Sequence, residues 1–388
     1  MTNPEIMAEA IEKILVKSPL DAVHQRLGAS MIERNGWSVP ESYGDVLFEY
    51  AAVRQGGAGL IDFSFRGRLL VGGSEAVQFL NGLITNDMKT LAENAWMPAA
   101  FPTVQGRLIA SVRVIRLKDE GEGKNANPTF LIDTEPATHE RVLKTIERFT
   151  LAGDFRVSDL TTKTALLSVQ GKNSVNVVRS VLGEEAAEVT SNQAVQITWK
   201  QSDATETVTV IRATHTGEDG FDLLVNSDRA VSLWEALQNA GARPVGYDAF
   251  EILRIEAGVP RYGADMDESN VITELPLDDA VSFTKGCYVG QEIIARIKYR
   301  GHVAKKLTGL KFEQAVKIDV NATIKSEDGK EVGRITSKTY SPHLGCTLAL
   351  GYLKYDYLAP GTLVKIHSDE EERWAQVTEL PFVGKPLY

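Results

Sequence analysis

The sequence predicts an α+β chain: two copies of one β-α-β-β-α unit, then a small all-β region. Three observations carry that expectation. Segments with two-residue apolar alternation and segments with helical spacing follow one another in the same order twice. Beyond residue 301 the helical spacing disappears, and short β-prone runs recur between glycines and prolines. The chain has 388 residues, 43% of them hydrophobic, enough to bury more than one core.

The elements follow in order. Residues 1–50 read as a helical lead-in. Glu5, Glu9 and Glu12 lie among apolar residues over 1–17, which suits a short amphipathic helix and not a signal peptide. Ser18-Pro19 and Pro40-Glu41 are turn signals that bracket a helix at 21–33. The first unit spans 51–155. It has a strand at 66–71, a turn at Gly72-Gly73, and a helix at 75–83 with Ala76, Phe79, Leu80 and Leu83 on one face. Strands at 108–117 and 129–133, joined by the polar run 118–128, precede a helix at 137–149. The second unit spans 156–300 and repeats the order: strand 164–169, turn at Gly171, helix 174–182, strands 207–211 and 221–225, helix 228–240. On this pattern the units are ferredoxin-like. The last region, 301–388, has strands at 306–312, 331–336, 347–353, 363–366 and 373–378, the spacing of a small barrel or sandwich. It serves either stability or as a lid over a site on the first two units.

Composition excludes several classes. With 42 Lys and Arg against 52 Asp and Glu the net charge is −10, which argues against wholesale nucleic-acid binding. Cys287 and Cys346 are the only cysteines, so a disulfide scaffold and a four-thiolate metal site within one chain are both excluded. No stretch approaches the roughly 18 apolar residues that span a bilayer. The expectation is a cytoplasmic protein with no membrane or nucleic-acid partner.

Four segments carry candidate chemistry. In Arg212 to Asp222, Gly217 and Gly220 bracket Glu218 and Asp219 in a turn between strands. The turn reads as a solvated hairpin, yet Asp222 opens the next strand and suits a flat amidine-like edge. In Gly246 to Gly263, Phe250, Leu253 and Ala257 share a helical face; Glu251 and Arg254 read first as a surface salt bridge, second as a ligand contact. In Lys285 to Glu292, Cys287 stands between Gly286 and Gly290, with Lys285 placed to favour the thiolate. From Ile293 to Phe312 there is no acid; a strand there would put Arg296, Lys298 and Arg300 on one face, as a guarded edge or a seat for an anionic tail.

Taken together these pieces resemble the folate-binding superfamily of the glycine-cleavage T-protein. The resemblance runs from Ser18-Pro19-Leu20 through Gly59-Leu60-Ile61-Asp62-Phe63-Ser64, Leu83 to Asp87, Thr214 to Asp222, Leu253 to Gly258 with Tyr262-Gly263, and Thr336-Ser337 with Ser341-Pro342. It implies two related units and a C-terminal barrel around a central tetrahydrofolate channel. Two departures point to a branch. Where aminomethyltransferases carry paired aspartates after a Gly-Gly segment, this chain has Ala110 and Ser111 after Gln105-Gly106-Arg107. Neither exchanges a proton at neutral pH, so glycine-cleavage aminomethyl transfer is not expected. Lys285 to Glu292 in turn resembles the signature of the YgfZ-type branch. That resemblance implies a tetrahydrofolate-binding protein supporting iron–sulfur cluster assembly or repair, with iron–sulfur client or assembly proteins as partners and Cys287 and Lys285 as reactive residues. The alternative is a folate-dependent aminomethyltransferase, one-carbon transferase or demethylase of the T-protein type. Carried over residue by residue, the folate contacts fall on Asp222, Arg254, Tyr262, His215 and Glu218, with His215 replacing a tyrosine and Asp222 a glutamate.

Overall fold

The computed structural model describes residues 15–119, 121, 127–151, 153–201, 204–368 and 371–384. The expected helix at 1–17 lies outside the described residues except at its end, where Val16–Lys17 is a strand. It runs parallel to Trp37–Ser42, which pairs antiparallel with Ser30–Arg34. The described part of the lead-in therefore holds a three-stranded sheet as well as helix. Its helix stops at Asp21–Arg26, because Gly28 turns left-handed at φ 77°. Asn35 and Gly36, at φ 50° and 82°, then close a two-residue hairpin directly after Arg34.

The first sheet contains, in spatial order, Ala95–Pro102, Leu108–Arg116, Thr129–Thr134, Gly67–Gly72 and Arg156–Asp159, with helices Ala76–Leu83 and His139–Glu147. The second contains Ala194–Gln201, Ala204–Arg212, Gly220–Asn226, Thr164–Gln170, Gly59–Asp62 and Arg243–Pro244, with helices Ser174–Leu182 and Ala230–Asn239. The first unit is thus β-α-β-β-β-α-β, two strands richer than expected, and the second follows the same order with Glu184–Ala187 as an added short helix and Gly59–Asp62 as a sixth strand. Ala95–Pro102 carries two prolines, which a sheet tolerates because this strand lies at its edge. The expected boundaries at 51 and 155 also shift. Gly59–Asp62 completes the second sheet and Arg156–Asp159 the first, so the chain crosses between units at 63–66 and 160–163.

Period-two alternation assigns the faces. Val112, Val114, Phe130 and Ile132 pack on the helices of the first unit with Leu80, Val142 and Ile146. Phe221, Leu223 and Val225 do the same in the second with Val177, Leu233 and Trp234. The opposite faces meet, burying Ile115, Leu131, Leu166, Ile211 and Leu224 together. The edge strands touch antiparallel at Ala95 and Gln193, and the Trp96 N–H donates to the Asn192 carbonyl at 2.8 Å.

The C-terminal strands Lys305–Lys311, Thr323–Lys325, Glu331–Ser341, Cys346–Lys354, Leu363–Ser368 and Glu371–Thr378 close into a six-stranded barrel. It docks on helix Tyr247–Glu256. Ser341 donates to the buried Glu256 carboxylate at 2.5 Å, which also accepts from Tyr50 at 2.8 Å and Arg54 at 2.9 Å. The segment 258–300 folds back over the first unit, where Leu108 donates to Asn270 and Val289 to Gly82. Its basic run is helix Gln291–Arg300, not a strand. Gly290 at φ 78° starts the helix, Glu292 pairs with Arg296 one turn on, and Ile294 and Ile297 face the core; Arg296 and Arg300, four residues apart, share one face and Lys298 lies on another.

Candidate ligand site between the two units

The apolar interface between the sheets gives way at one end to charge. On strand Leu108–Arg116, Ser111, Arg113 and Ile115 share the inner face, so Arg113 stands next to the interface core. Its Nε donates to Asp133 of the same sheet at 2.8 Å and its Nη2 to Asp222 of the other at 2.6 Å. Arg66 adds a 2.8 Å bond to Asp133, and His215 Nε2 lies 2.8 Å from Asp222. Burial alone would raise both carboxyls. His215 and Arg113 beside Asp222, and Arg66 and Arg113 beside Asp133, outweigh burial and hold each below the usual carboxylate range.

In front of this network is a cavity with about 1130 Å³ of empty space, counted to its open mouth. Phe63, Phe65, Phe250, Tyr247 and Trp96 form its aromatic walls; Phe63 meets Phe250 edge-on at 5.0 Å. Several polar atoms facing this region have no hydrogen-bond partner among the described residues. Arg113 Nη1 and Arg34 Nε are two of them, and the Arg34 guanidinium lies 4.6 Å over the Tyr247 ring. Glu135 also lines the cavity. It accepts from the Tyr262 N–H at 3.0 Å, and burial raises its carboxyl against the pull of Arg66. Aromatic walls with unpaired N–H donors and a proton-exchanging carboxyl suit a flat heteroaromatic ligand with carbonyl and imine acceptors.

The sequence-derived residues distribute unevenly. His215, Arg254 and Tyr262 line the cavity together. Arg254 is no surface ion pair: it is 2% exposed and held by Glu251 at 2.8 Å, Asp265 at 2.6 Å and Ser337 at 2.9 Å. Asp222 stands behind His215, fully buried, its oxygens taken by His215 and Arg113, so it is not the ligand contact expected of it. Glu218 points elsewhere, onto Arg54 at 2.9 Å. No described barrel residue lines the cavity; the barrel reaches it from behind, through the Ser337 bond to Arg254. Arg113, Glu135 and Arg34 were not found from the sequence. The Asn-Gly pair after Arg34 was the one available signal, as a hairpin marker.

Cys287 is exposed and is not among the cavity residues. Its loop is fixed on both sides. Gly290 approaches so closely that a Cβ there would meet the Thr103 carbonyl at 2.5 Å. Lys285 does not serve the thiol: its buried ammonium donates to the carbonyls of Asn81 at 2.7 Å, Ile84 at 2.9 Å and Asn86 at 2.5 Å. It closes the end of helix Ala76–Leu83, and burial brings it down to about 8. Arg296, Lys298 and Arg300 lie on a helix, so the single cationic strand face expected of them does not form. Cys346 is buried in the core next to the barrel.

Comparison with known proteins agrees with this architecture. The family described as GCVT N-terminal domain matches residues 20–285, and the one described as Glycine cleavage T-protein C-terminal barrel domain matches 305–384. An aminomethyltransferase of Halothermothrix orenii is 30% identical over 371 residues, covering 95% of this chain and 99% of that protein. One of Rubrobacter xylanophilus is 33% identical over 340 residues, covering 87% of each. The crystal structure of aminomethyltransferase T from Bartonella henselae superposes with a TM-score of 0.85 at 24% identity, over 96% of this chain and 99% of that one, and shows the same fold.

Proposed function

This chain belongs to the glycine cleavage T-protein family, and we propose that it binds tetrahydrofolate in the cavity between its units and transfers a one-carbon group there. The carrying observation is the cavity itself: aromatic walls, two unpaired arginine nitrogens, and the raised carboxyl of Glu135 in one place. These residues fit a pterin. Phe63, Phe250 and Trp96 offer surfaces for its rings, Arg113 Nη1 a donor for its carbonyl edge, and Arg34 a cation at the cavity wall. Tetrahydrofolate, when bound, supplies an amine nitrogen that takes up or releases the one-carbon group. Glu135 and His215 supply the proton exchange, since Ala110 and Ser111 stand where paired aspartates would be. Curated relatives named aminomethyltransferase support the class. We expect a one-carbon donor other than the aminomethylated carrier of glycine cleavage.

Titration with tetrahydrofolate, followed by tryptophan fluorescence, tests the reading. Micromolar binding by the wild type, weakened at least about tenfold in Phe250→Ala, supports it. No binding at about 1 mM overturns it. Turnover of an aminomethylated lipoyl carrier at T-protein rates would overturn the donor expectation alone.

The exposed Cys287 on its fixed loop favours a second reading, in which the protein is of the YgfZ type and supports iron–sulfur client or assembly proteins in the cytoplasm. Cys287→Ser would then abolish that support while leaving tetrahydrofolate binding intact. Unchanged support in that variant removes the reading.

A further inference from the structure

We infer that His215 is the proton acceptor of the cavity, held in its working orientation by Asp222 and, through Asp222, by Arg113. The inference rests on the tetrahydrofolate reading above. Asp222 is fully buried against the Arg113 guanidinium, so its carboxylate only accepts hydrogen bonds. One of them comes from Arg113 Nη2 at 2.6 Å, leaving the carboxylate to face His215 Nε2 at 2.8 and 3.1 Å. Nε2 therefore carries the imidazole proton and Nδ1 keeps its lone pair. Nδ1 has no hydrogen-bond partner among the described residues, and the ring, 13% exposed, lines the cavity. Phe63 meets the ring edge-on at 4.9 Å, and the His215 backbone N–H donates to Gln170 Oε1 at 3.0 Å.

This arrangement replaces what Ala110 and Ser111 lack. His215 Nδ1 takes the N–H proton of the ligand nitrogen as that nitrogen bonds to the incoming carbon. The bond from that carbon to its donor heteroatom breaks, and the imidazolium returns the proton to the donor. Atoms and charge balance without an oxidant. Asp222 is a positioning residue; Arg113 acts on His215 through it with Nη2 and keeps Nη1 for the ligand. The other charged groups facing the cavity are Arg34, Arg66, Glu135, Arg254 and Arg261. Four are permanent cations and the fifth, Glu135, is a carboxyl.

Imidazole nitrogen NMR on ¹⁵N-histidine protein tests the proposal, with His215→Gln identifying the signal among 6 histidines. In the free protein at about pH 8 the proton resides on Nε2, and in Asp222→Asn that preference is lost. Adding tetrahydrofolate shifts the Nδ1 signal. Removing the Nδ1 acceptor in His215→Gln weakens tetrahydrofolate binding about tenfold at about pH 8. Wild-type protein that binds no tetrahydrofolate overturns the functional reading and this inference together. A proton on Nδ1 in the free protein, or His215→Gln with wild-type affinity, overturns this inference alone and transfers the role to Glu135.

Discussion

The two units carry the same pair of residues in opposite order. Strand Thr129–Thr134 places Leu131 and Asp133 on its inner face; strand Gly220–Asn226 places Asp222 and Leu224 there. Each strand has a buried phenylalanine as its second residue, Phe130 or Phe221, on the helix-facing side. The helix-facing sides are alike because both only fill a core. The inner sides meet head to tail, so reversing the order in one unit brings both leucines into one cluster and both aspartates onto Arg113. Repeating the order unchanged would have put the aspartates at opposite ends. The repeat therefore specifies the fold on one face and the site on the other.

The largest expected effect probes the alike faces. Phe130→Ala and Phe221→Ala should each cost about 4 kcal/mol of stability, by equal amounts, with tetrahydrofolate affinity unchanged in the folded fraction. A twofold difference in denaturant-derived stability would break the equivalence. Next is the unlike face. Arg113→Met leaves Asp133 with Arg66 and Asp222 with His215, and should cost about 3 kcal/mol. In Arg113→Met combined with Asp222→Leu the loss should be less than the sum of the singles, by about 1 kcal/mol or more.

The pH response sharpens the same contrast. Asp133 and Asp222 have folded-state pKa values below their unfolded ones, so the stability they add is full above about pH 4 and is lost as pH falls below it. Glu135 is raised and acts with opposite sign, gaining relative stability as pH falls. Acid unfolding of Asp222→Asn should be shallower than that of the wild type; an unchanged slope would contradict the paired-carboxylate account. The smallest effect belongs to the surface. Arg26→Ala removes an exposed pair with Glu235 and should shift stability by less than about 0.5 kcal/mol.

Much of the scaffold was legible because its signals are local. The valine- and isoleucine-rich strands and the helices Ala76–Leu83 and Ser174–Leu182 show their period within ten residues. Ala95–Pro102 was missed since proline marks turns as readily as edges. Gln291–Arg300 was misread because Arg-Ile-Lys-Tyr-Arg alternates as well as it coils, and the left-handed Gly290 that decides the matter leaves no periodic trace. The site was half legible. His215, Arg254 and Tyr262 came from a motif resemblance. Arg113 looked like any strand residue, because its partner Asp222 is 109 positions away and nothing near Arg113 in sequence announces the pairing.

The strand Gly59–Asp62 lies between Thr164–Gln170 and Arg243–Pro244, both made much later. As the chain leaves a ribosome at about 5–20 residues per second, this strand emerges several seconds before its first partner. The first sheet, too, needs Arg156–Asp159 before it is complete. The first sheet therefore has all its strands before the second has more than Gly59–Asp62, and the cavity between them forms only when the second is complete.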